Sequence, residues 1–339
     1  MSHSFAHDVL QPLIRGTDFE RSAARDALAE ILAGRVDGVL IASFLTALTC
    51  KGETVDEMTG FVDAMLDAAT SLRVSADAID IVGTGGDQLH TVNISTMASL
   101  AVAGCGVPVA KHGNRAASSS VGSADVLEAL GVRLDVSPQV VATSLEEASI
   151  AFLFAPTYHH ALGYLAPIRR ALSFRTIFNV LGPLANPARV TRSLIGVAQA
   201  HLLDPMARVV QARHLTHAVL VHGHDGLDEL SLGTVSSLIR VTPADVSLSE
   251  IDAGADLGRR HTAADIRGGA TQDNVAVVRA FLAGREGAVM DVACANAGLA
   301  LMVAGRASTL AEGFAQAHES VVSGRAGAAL ERLVAVSNS

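Results

Sequence analysis

Four short stretches of this chain hold the residue types that chemistry on an anionic substrate needs. The first is Gly83-Thr84-Gly85-Gly86-Asp87, which directly follows the apolar run Ala78 to Val82. Glycines at such a place let the backbone approach a phosphate closely and turn its N–H groups toward it. Soon after come Thr91, Asn93, Ser95 and Thr96, where the next helix should begin, and helix N-termini favour anions. The loop is not the dinucleotide pattern G-x-G-x-x-G, because position 88 is Gln. Nor is it a Walker loop, since no Lys-Ser/Thr pair follows at the required spacing. Taken alone, the pattern is equally compatible with a tight turn and a plain helix cap.

The second stretch is denser. Lys111-His112-Gly113-Asn114-Arg115 runs on through Ala116, Ala117, Ser118, Ser119, Ser120, Val121, Gly122 and Ser123. Two cations, an amide, a run of hydroxyls and two glycines lie between an apolar strand and a helix, which is what a sugar phosphate requires. Lys111 offers a point charge for phosphate, and Ser118 and Ser119 offer hydrogen bonds. In the third stretch Asp228 and Glu229 are adjacent, after His222-Gly223-His224-Asp225-Gly226-Leu227. Neighbouring carboxylates at the end of a strand suit a hard cation such as Mg²⁺, which usually shares substrate phosphate oxygens. Taken alone, the pair reads better as a solvated loop. His222 and His224 have no third ligand at a spacing that would suit zinc. The fourth stretch, Ala166-Pro167-Ile168-Arg169-Arg170, contains arginines, and an arginine that forks is the natural reader of a carboxylate. Arg170 reads as a surface charge.

Two kinds of element must position these residues. The first ~75 residues read as helices only. Leu28, Ile31 and Leu32 form one stripe before Gly34, and Val39, Leu40, Phe44, Leu45 and Leu48 form a second. Thr54 and Glu57 make a capping box, opening a third helix that carries Met58, Phe61, Val62, Met65 and Leu66. After Ser75 the grammar changes to alternation. Strands are expected at Ala78 to Val82, Val107 to Lys111, Ile150 to Phe154, Arg192 to Val197 and His217 to His222. Helices fall between them at Ser95 to Ala103, Ser123 to Leu130, Ser137 to Ala148 and Leu202 to Arg213. This predicts an α/β fold: a small all-helical domain and a larger α/β domain with a central, mostly parallel sheet. The turn-rich run Leu181 to Pro187 marks a crossing between the two. The expected division is residues 1–75 with a returning segment near 165–190, against 76–164 and 191–339.

The bulk numbers narrow the partners. In 339 residues, half are hydrophobic and 17% charged, so a large core can form. A formal net charge of −9 disfavours nucleic acid. Cys50, Cys105 and Cys294 are far apart and read as buried thiols in a reducing compartment. No basic n-region with an apolar run opens the chain, and no stretch has the ~20 clean apolar residues of a membrane span. A cytoplasmic protein is expected.

As a set, G-T-G-G-D, T-x-N-x-S-T, K-H-G-N-R with its following serines and G-S-A-D resemble the donor site of anthranilate phosphoribosyltransferases. The similarity extends over most of the chain, including the helical start, Arg169 to Pro187 and Gly223 to Leu230. It implies a homodimer that transfers phosphoribosyl from 5-phosphoribosyl 1-diphosphate to anthranilate. In the family the D-E pair binds magnesium, so Asp228 and Glu229, with Ser95, are the implied Mg²⁺ ligands. The implied donor residues are Gly83, Gly86, Asp87, Thr91, Asn93, Ile94, Ser95 and Thr96, then Lys111 through Ser119 (Lys111, His112, Gly113, Asn114, Arg115, Ala116, Ala117, Ser118, Ser119) and Ser123. On the acceptor side, Arg169 would meet the anthranilate carboxylate. Asn114 and Gly83 would lie near the amine, and Pro183 would line an aromatic channel. Lys111, Asn114 and Arg169 are the implied catalytic residues, with His112 shaping the pocket. The departures are Gln88 where the family often has Gly, His160, Gly163 and Tyr164 for Pro, Lys and His, and Ala171 and Ser173 for Glu and Gly. All but the first are expected at the acceptor entrance. The alternatives are a pyrimidine nucleoside phosphorylase of similar fold and a paralogue using another aromatic amine.

Overall fold

Apolar stripes at helical spacing fold the first fifth of the chain into packed helices. The computed structural model describes residues 2–72, 74, 77–116 and 121–339. Helix α1 is Arg21–Leu32, α2 is Gly38–Lys51 and α3 is Val55–Ala68. Thr54 caps α3: its side chain accepts from the Glu57 N–H, and the Glu57 carboxylate accepts from the Thr54 N–H at 2.9 Å. Such a reciprocal cap contributes about 1 kcal/mol. Leu28, Ile31, Phe44, Leu45, Phe61 and Val62 are buried together in one apolar core.

From residue 79 the alternation appears as expected. Strand β1 (Ile79–Gly83) leads to α4 (Ile94–Gly104), and β2 (Val109–Gly113) to α5 (Ser123–Ala129) and α6 (Pro138–Ala148). β3 (Ile150–Phe154) is followed by α7 (Leu165–Leu172) and the short α8 (Phe178–Leu181). Then come β4 (Arg192–Gly196), α9 (Leu203–Ala212) and β5 (His217–Gly223). Two strands were not foreseen, β6 (Ser236–Val241) and β7 (Val246–Ile251). Four helices close the chain: α10 (Thr271–Leu282), α11 (Ala288–Val303), α12 (Leu310–Val322) and α13 (Arg325–Ser337). Of these, α11 is a buried core helix. No helix among the described residues is long and apolar enough to cross a membrane.

The sheet order is β3-β2-β1-β4-β5-β6-β7. The first five strands are parallel, and β6 and β7 are antiparallel additions at the edge. One face packs on α4 and α11, the other on α9 and the small helical layer. Leu165, Ile177, Phe178 and Leu181 share the apolar core of α1–α3, which continues to Ile195 and Leu220 of the sheet. The strand order reverses between β1 and β4. In open α/β sheets the crevice outside the carboxyl ends of the strands at that reversal is where ligands bind. The glycine loop after β1, the K-H-G-N-R loop at the end of β2 and the acidic loop after β5 all leave the sheet at that edge.

The cysteines depart from expectation. Cys294 is buried in α11, but Cys105 is only partly covered and Cys50 is exposed. Cys50 lies near the end of α2, where the stripe that fills the core runs through Leu45 and Leu48 and leaves position 50 outside.

Candidate functional site

Close approach of backbone explains the glycines. A Cβ added to Gly83 or to its β4 partner Gly196 would collide with Asp228, so the acidic loop can lie directly across the ends of β1 and β4. Gly85 (φ +63°) and Gly86 (φ +76°) hold left-handed conformations that glycine adopts without cost. The Gly85 N–H donates to Asp228 Oδ2 at 2.7 Å. Gln88 (φ +61°) and His90 (φ +54°) hold the same region without that freedom. The departure at position 88 therefore falls where a glycine would be relaxed.

The acidic pair is not a solvated loop. Each side chain keeps a little exposed surface, yet burial pushes Asp228 up to about 6, and the nearby Asp87 adds to the shift. Glu229 is pushed well above the usual carboxylate range, first by burial and then by Asp228. Asp87 is raised mainly by burial. The backbone N–H of Ser95 helps hold Glu229 ionised, as does Lys111. The oxygen donors Asp228, Glu229 and Ser95 are therefore gathered and under-neutralised, which fits a hard cation. Among the described residues no group of three or more His, Cys, Asp or Glu side chains is arranged to hold an ion by itself. An incomplete protein shell is what Mg²⁺ accepts when substrate phosphate supplies the remaining ligands.

Lys111 lies beneath this pair. It is buried, and its Nζ donates to the Ile81 carbonyl at 2.6 Å and to Ser95 Oγ at 3.2 Å. Burial lowers its pKa, while Asp80 and Glu229 pull the other way. Asp80, fully buried in β1, is raised to about 6 by burial, against the opposing charge of Lys111. Its carboxylate accepts from the His112 N–H at 3.1 Å and from Asn186 Nδ2 at 2.8 Å. Asn186 also donates to the Ala110 carbonyl at 2.9 Å, which ties the returning segment to β1 and β2. His112 is buried and pushed down to about 3, chiefly by burial and then by His159, whose ring lies 5.4 Å away. It is a buried, neutral imidazole and a poor base.

Other expected donor residues are distributed unevenly. Thr91 forms an antiparallel bridge with Arg267, and Thr96 Oγ1 is buried without a partner among the described residues. Ile94 buries its side chain in the core, so only its backbone can face a ligand. Gly113 comes close to Ser123, since a Cβ there would strike the Ser123 hydroxyl. Arg115 and Ala116 border the cavity described below, and both are also engaged with α5 acids. The Arg115 guanidinium meets Asp125 at 3.1 Å and Glu128 at 2.7 Å, and the Ala116 N–H donates to Asp125 at 3.1 Å. Asp125 opens α5, where its carboxylate also caps the Gly122 N–H, so these contacts anchor the loop. Ala117, Ser118 and Ser119 lie outside the described residues.

Beside the donor loops is a cavity of about 990 Å³, whose lining includes Asn114, His159, Phe174 and Asn179. Its charged lining residues are Arg115, Arg169, Arg170 and Arg175, with no acid among them. Arg169 lies over the Phe178 ring at 5.4 Å, and burial lowers its pKa. No carboxylate pairs with it among the described residues. Arg175 was missed in the sequence. Its guanidinium contacts the Gly86 and Gly85 carbonyls, both at 3.4 Å, and so joins the cavity to the glycine loop. Only geometry finds it, because an arginine 89 residues from its partner has no local pattern. Pro183 is buried away from this lining, against Asn186 and Arg189. Of the departures, His160, Gly163 and Ser173 line the cavity, whereas Tyr164 and Ala171 do not. Ala171 faces a second, apolar groove of about 700 Å³ formed with Ile14, Val39, Ile168 and Leu172.

Comparison with known proteins agrees with this geometry. Residues 7–69 match the helical bundle domain of a glycosyl transferase family, and residues 75–327 match that family's a/b domain. Anthranilate phosphoribosyltransferase of Thermomicrobium roseum is 46% identical over 336 residues, covering 97% of this chain and 96% of the relative. The Methylobacterium radiotolerans enzyme of the same name is 46% identical, covering 95% of this chain and 94% of its own. Among solved structures, the Thermus thermophilus anthranilate phosphoribosyltransferase superposes with a TM-score of 0.92 at 39% identity, covering 98% of this chain and 100% of its own. The Saccharomyces cerevisiae enzyme in complex with PRPP and Mg gives 0.92 at 25% identity, with 99% of each chain covered.

Proposed function

The chain belongs to the anthranilate phosphoribosyltransferase family, and from that premise we propose how its residues share the work of the reaction. The phosphoribosyl group of 5-phosphoribosyl 1-diphosphate passes to anthranilate, giving N-(5-phosphoribosyl)anthranilate and diphosphate in tryptophan biosynthesis. The observation that carries the reading is the junction of two unlike sites. A cleft lined by Arg169, Arg170 and Arg175, with no acid in its lining, abuts a glycine loop held by the Asp228 carboxylate.

Breaking the bond from ribose C1 to diphosphate leaves oxocarbenium character on the sugar and negative charge on the leaving group. Asp228 and Glu229, with Ser95 beside them, would hold magnesium, which supplies charge neutralisation to the diphosphate. The chain's own share is largely electrostatic. N–H groups at the start of α4 and the Lys111 charge favour the departing anion. Arg169 forks onto the anthranilate carboxylate and holds the amine toward C1. An aryl amine is neutral at pH 7, so the nitrogen attacks without a strong base, in keeping with a neutral His112.

Further readings accompany this one. The segment near 165–190 belongs with residues 1–75 in the helical domain, since Leu165, Phe178 and Leu181 pack in their core. Two chains pair through the apolar groove of α2 and α7, where Val39 is 74% and Ile14 66% exposed. Three free cysteines suit the reducing cytoplasm. The test is product analysis: diphosphate should appear mole for mole with phosphoribosylanthranilate. Release of free ribose 5-phosphate alone, or phosphorolysis of a pyrimidine nucleoside instead, would reject the reading.

A further inference from the structure

Asn93 sits between the two donor loops, and neither end of its amide is free. Its Nδ2 donates to the Val121 carbonyl at 3.1 Å, just after the serine run. Its Oδ1 accepts from Asn274 Nδ2, also at 3.1 Å. Asn274 is buried at the start of α10, 181 residues away in sequence. The other end of Asn274, Oδ1, accepts from the Gly269 N–H at 3.0 Å. The row therefore begins at a backbone group that can only donate and ends at one that can only accept. Each amide in between has one orientation that satisfies both neighbours. Reversing either would set two donors or two acceptors face to face in a part-buried place, which is costly.

We propose that Asn274 is a positioning residue of the donor site: it fixes which way the Asn93 amide lies, and through it the spacing of the two loops that hold the phosphoribosyl diphosphate. This rests on the donor-site reading above. The same segment also grips the first loop by backbone contacts. The Val92 N–H donates to the Ile266 carbonyl at 3.0 Å, and the Gly268 N–H to the His90 carbonyl at 2.7 Å. These anchors lie at His90, held in a left-handed conformation, and at Val92, and they do not depend on the Asn274 side chain. Removing its N–H donor should therefore change the alignment of Asn93 without releasing the loop.

Asn274→Asp makes that cut. A carboxylate still accepts from Gly269 but cannot donate to Asn93. At pH 8 the KM for phosphoribosyl diphosphate should rise about tenfold, the size of one lost hydrogen bond. The KM for anthranilate should stay within about twofold. As pH falls toward 5.5 the variant-to-wild-type ratio should shrink, because a protonated carboxyl donates again. Asn274→Ser supplies the uncharged arm, and should Asn274→Asp not fold it takes its place. In an Asn93→Ala background Asn274→Ser should add less than about twofold, since it acts through Asn93. Additive losses in that pair, an unchanged donor KM, or equal rises in both KM values would overturn the proposal. Asp228→Asn separates the two readings. If it alters donor KM and magnesium dependence while Asn274→Asp does not, only the positioning role falls. If neither variant matters, the donor-site reading falls with it.

Discussion

Asp228→Asn should make the ligand-free protein more stable while disabling it. The carboxylate is raised from 3.8 to about 6, with burial the main cause and Asp87 next. A shift of that size corresponds to about 3 kcal/mol at most, at ~1.36 kcal/mol per unit. The folded state holds this proton more tightly than the unfolded state. The group therefore favours folding below pH 4, and that contribution is lost as pH rises through about 6. At pH 8 the folded chain carries an ionised, under-neutralised carboxylate. Asparagine keeps an oxygen for the Gly85 N–H and removes the charge. Thermal unfolding without magnesium at pH 8 should show the variant melting a few degrees higher, at ~1.4 °C per kcal/mol for a chain of this length. The gain should vanish by about pH 4, and magnesium-dependent turnover should be lost. A variant that melts at or below the wild-type temperature at pH 8 would refute the electrostatic argument. Full turnover at limiting magnesium would refute the metal assignment.

Three further outcomes follow from the same geometry. Arg169→Ala should raise the KM for anthranilate about ten- to hundredfold, for a charge-assisted contact of roughly 1.5–3 kcal/mol, and leave the donor KM unchanged. Lysine should restore only part, because it offers no fork; equal damage to both KM values in steady-state kinetics would point to a structural role, through the contact of Arg169 with Phe178, instead. The magnesium concentration for half-maximal rate should climb steeply as pH falls below about 6, since protons compete for Asp228 and Glu229. A flat dependence between pH 8 and 5.5 would contradict it. Val39→Asp should place a charge in the apolar groove and convert dimers to monomers in light scattering, with the melting curve little changed.

Local signals carried most of the fold. The Thr54–Glu57 box, the helical stripes and the five apolar parallel strands were legible because each depends on residues a few positions apart. β6 and β7 were not, because an edge hairpin has little apolar alternation: Leu248 of β7 is 68% exposed and Ser247, Ser249 and Glu250 surround it. In the site, the glycine loop and the acidic pair were readable as motifs. Their supports were not. Asn186 meets Asp80 across 106 residues, and Arg175 meets Gly86 across 89. Contacts at such separations are set by tertiary packing and leave no spacing to read. Arg115 was readable only as a cation; that its charge is taken up by Asp125 and Glu128 emerges once α5 is in place.

Anthranilate fluorescence, followed with the purified full chain, tests the central claim most directly. The signal should fall only when the protein, phosphoribosyl diphosphate and Mg²⁺ are all present, in step with diphosphate release. Constant fluorescence under those conditions, from a protein that melts cooperatively, would contradict the account.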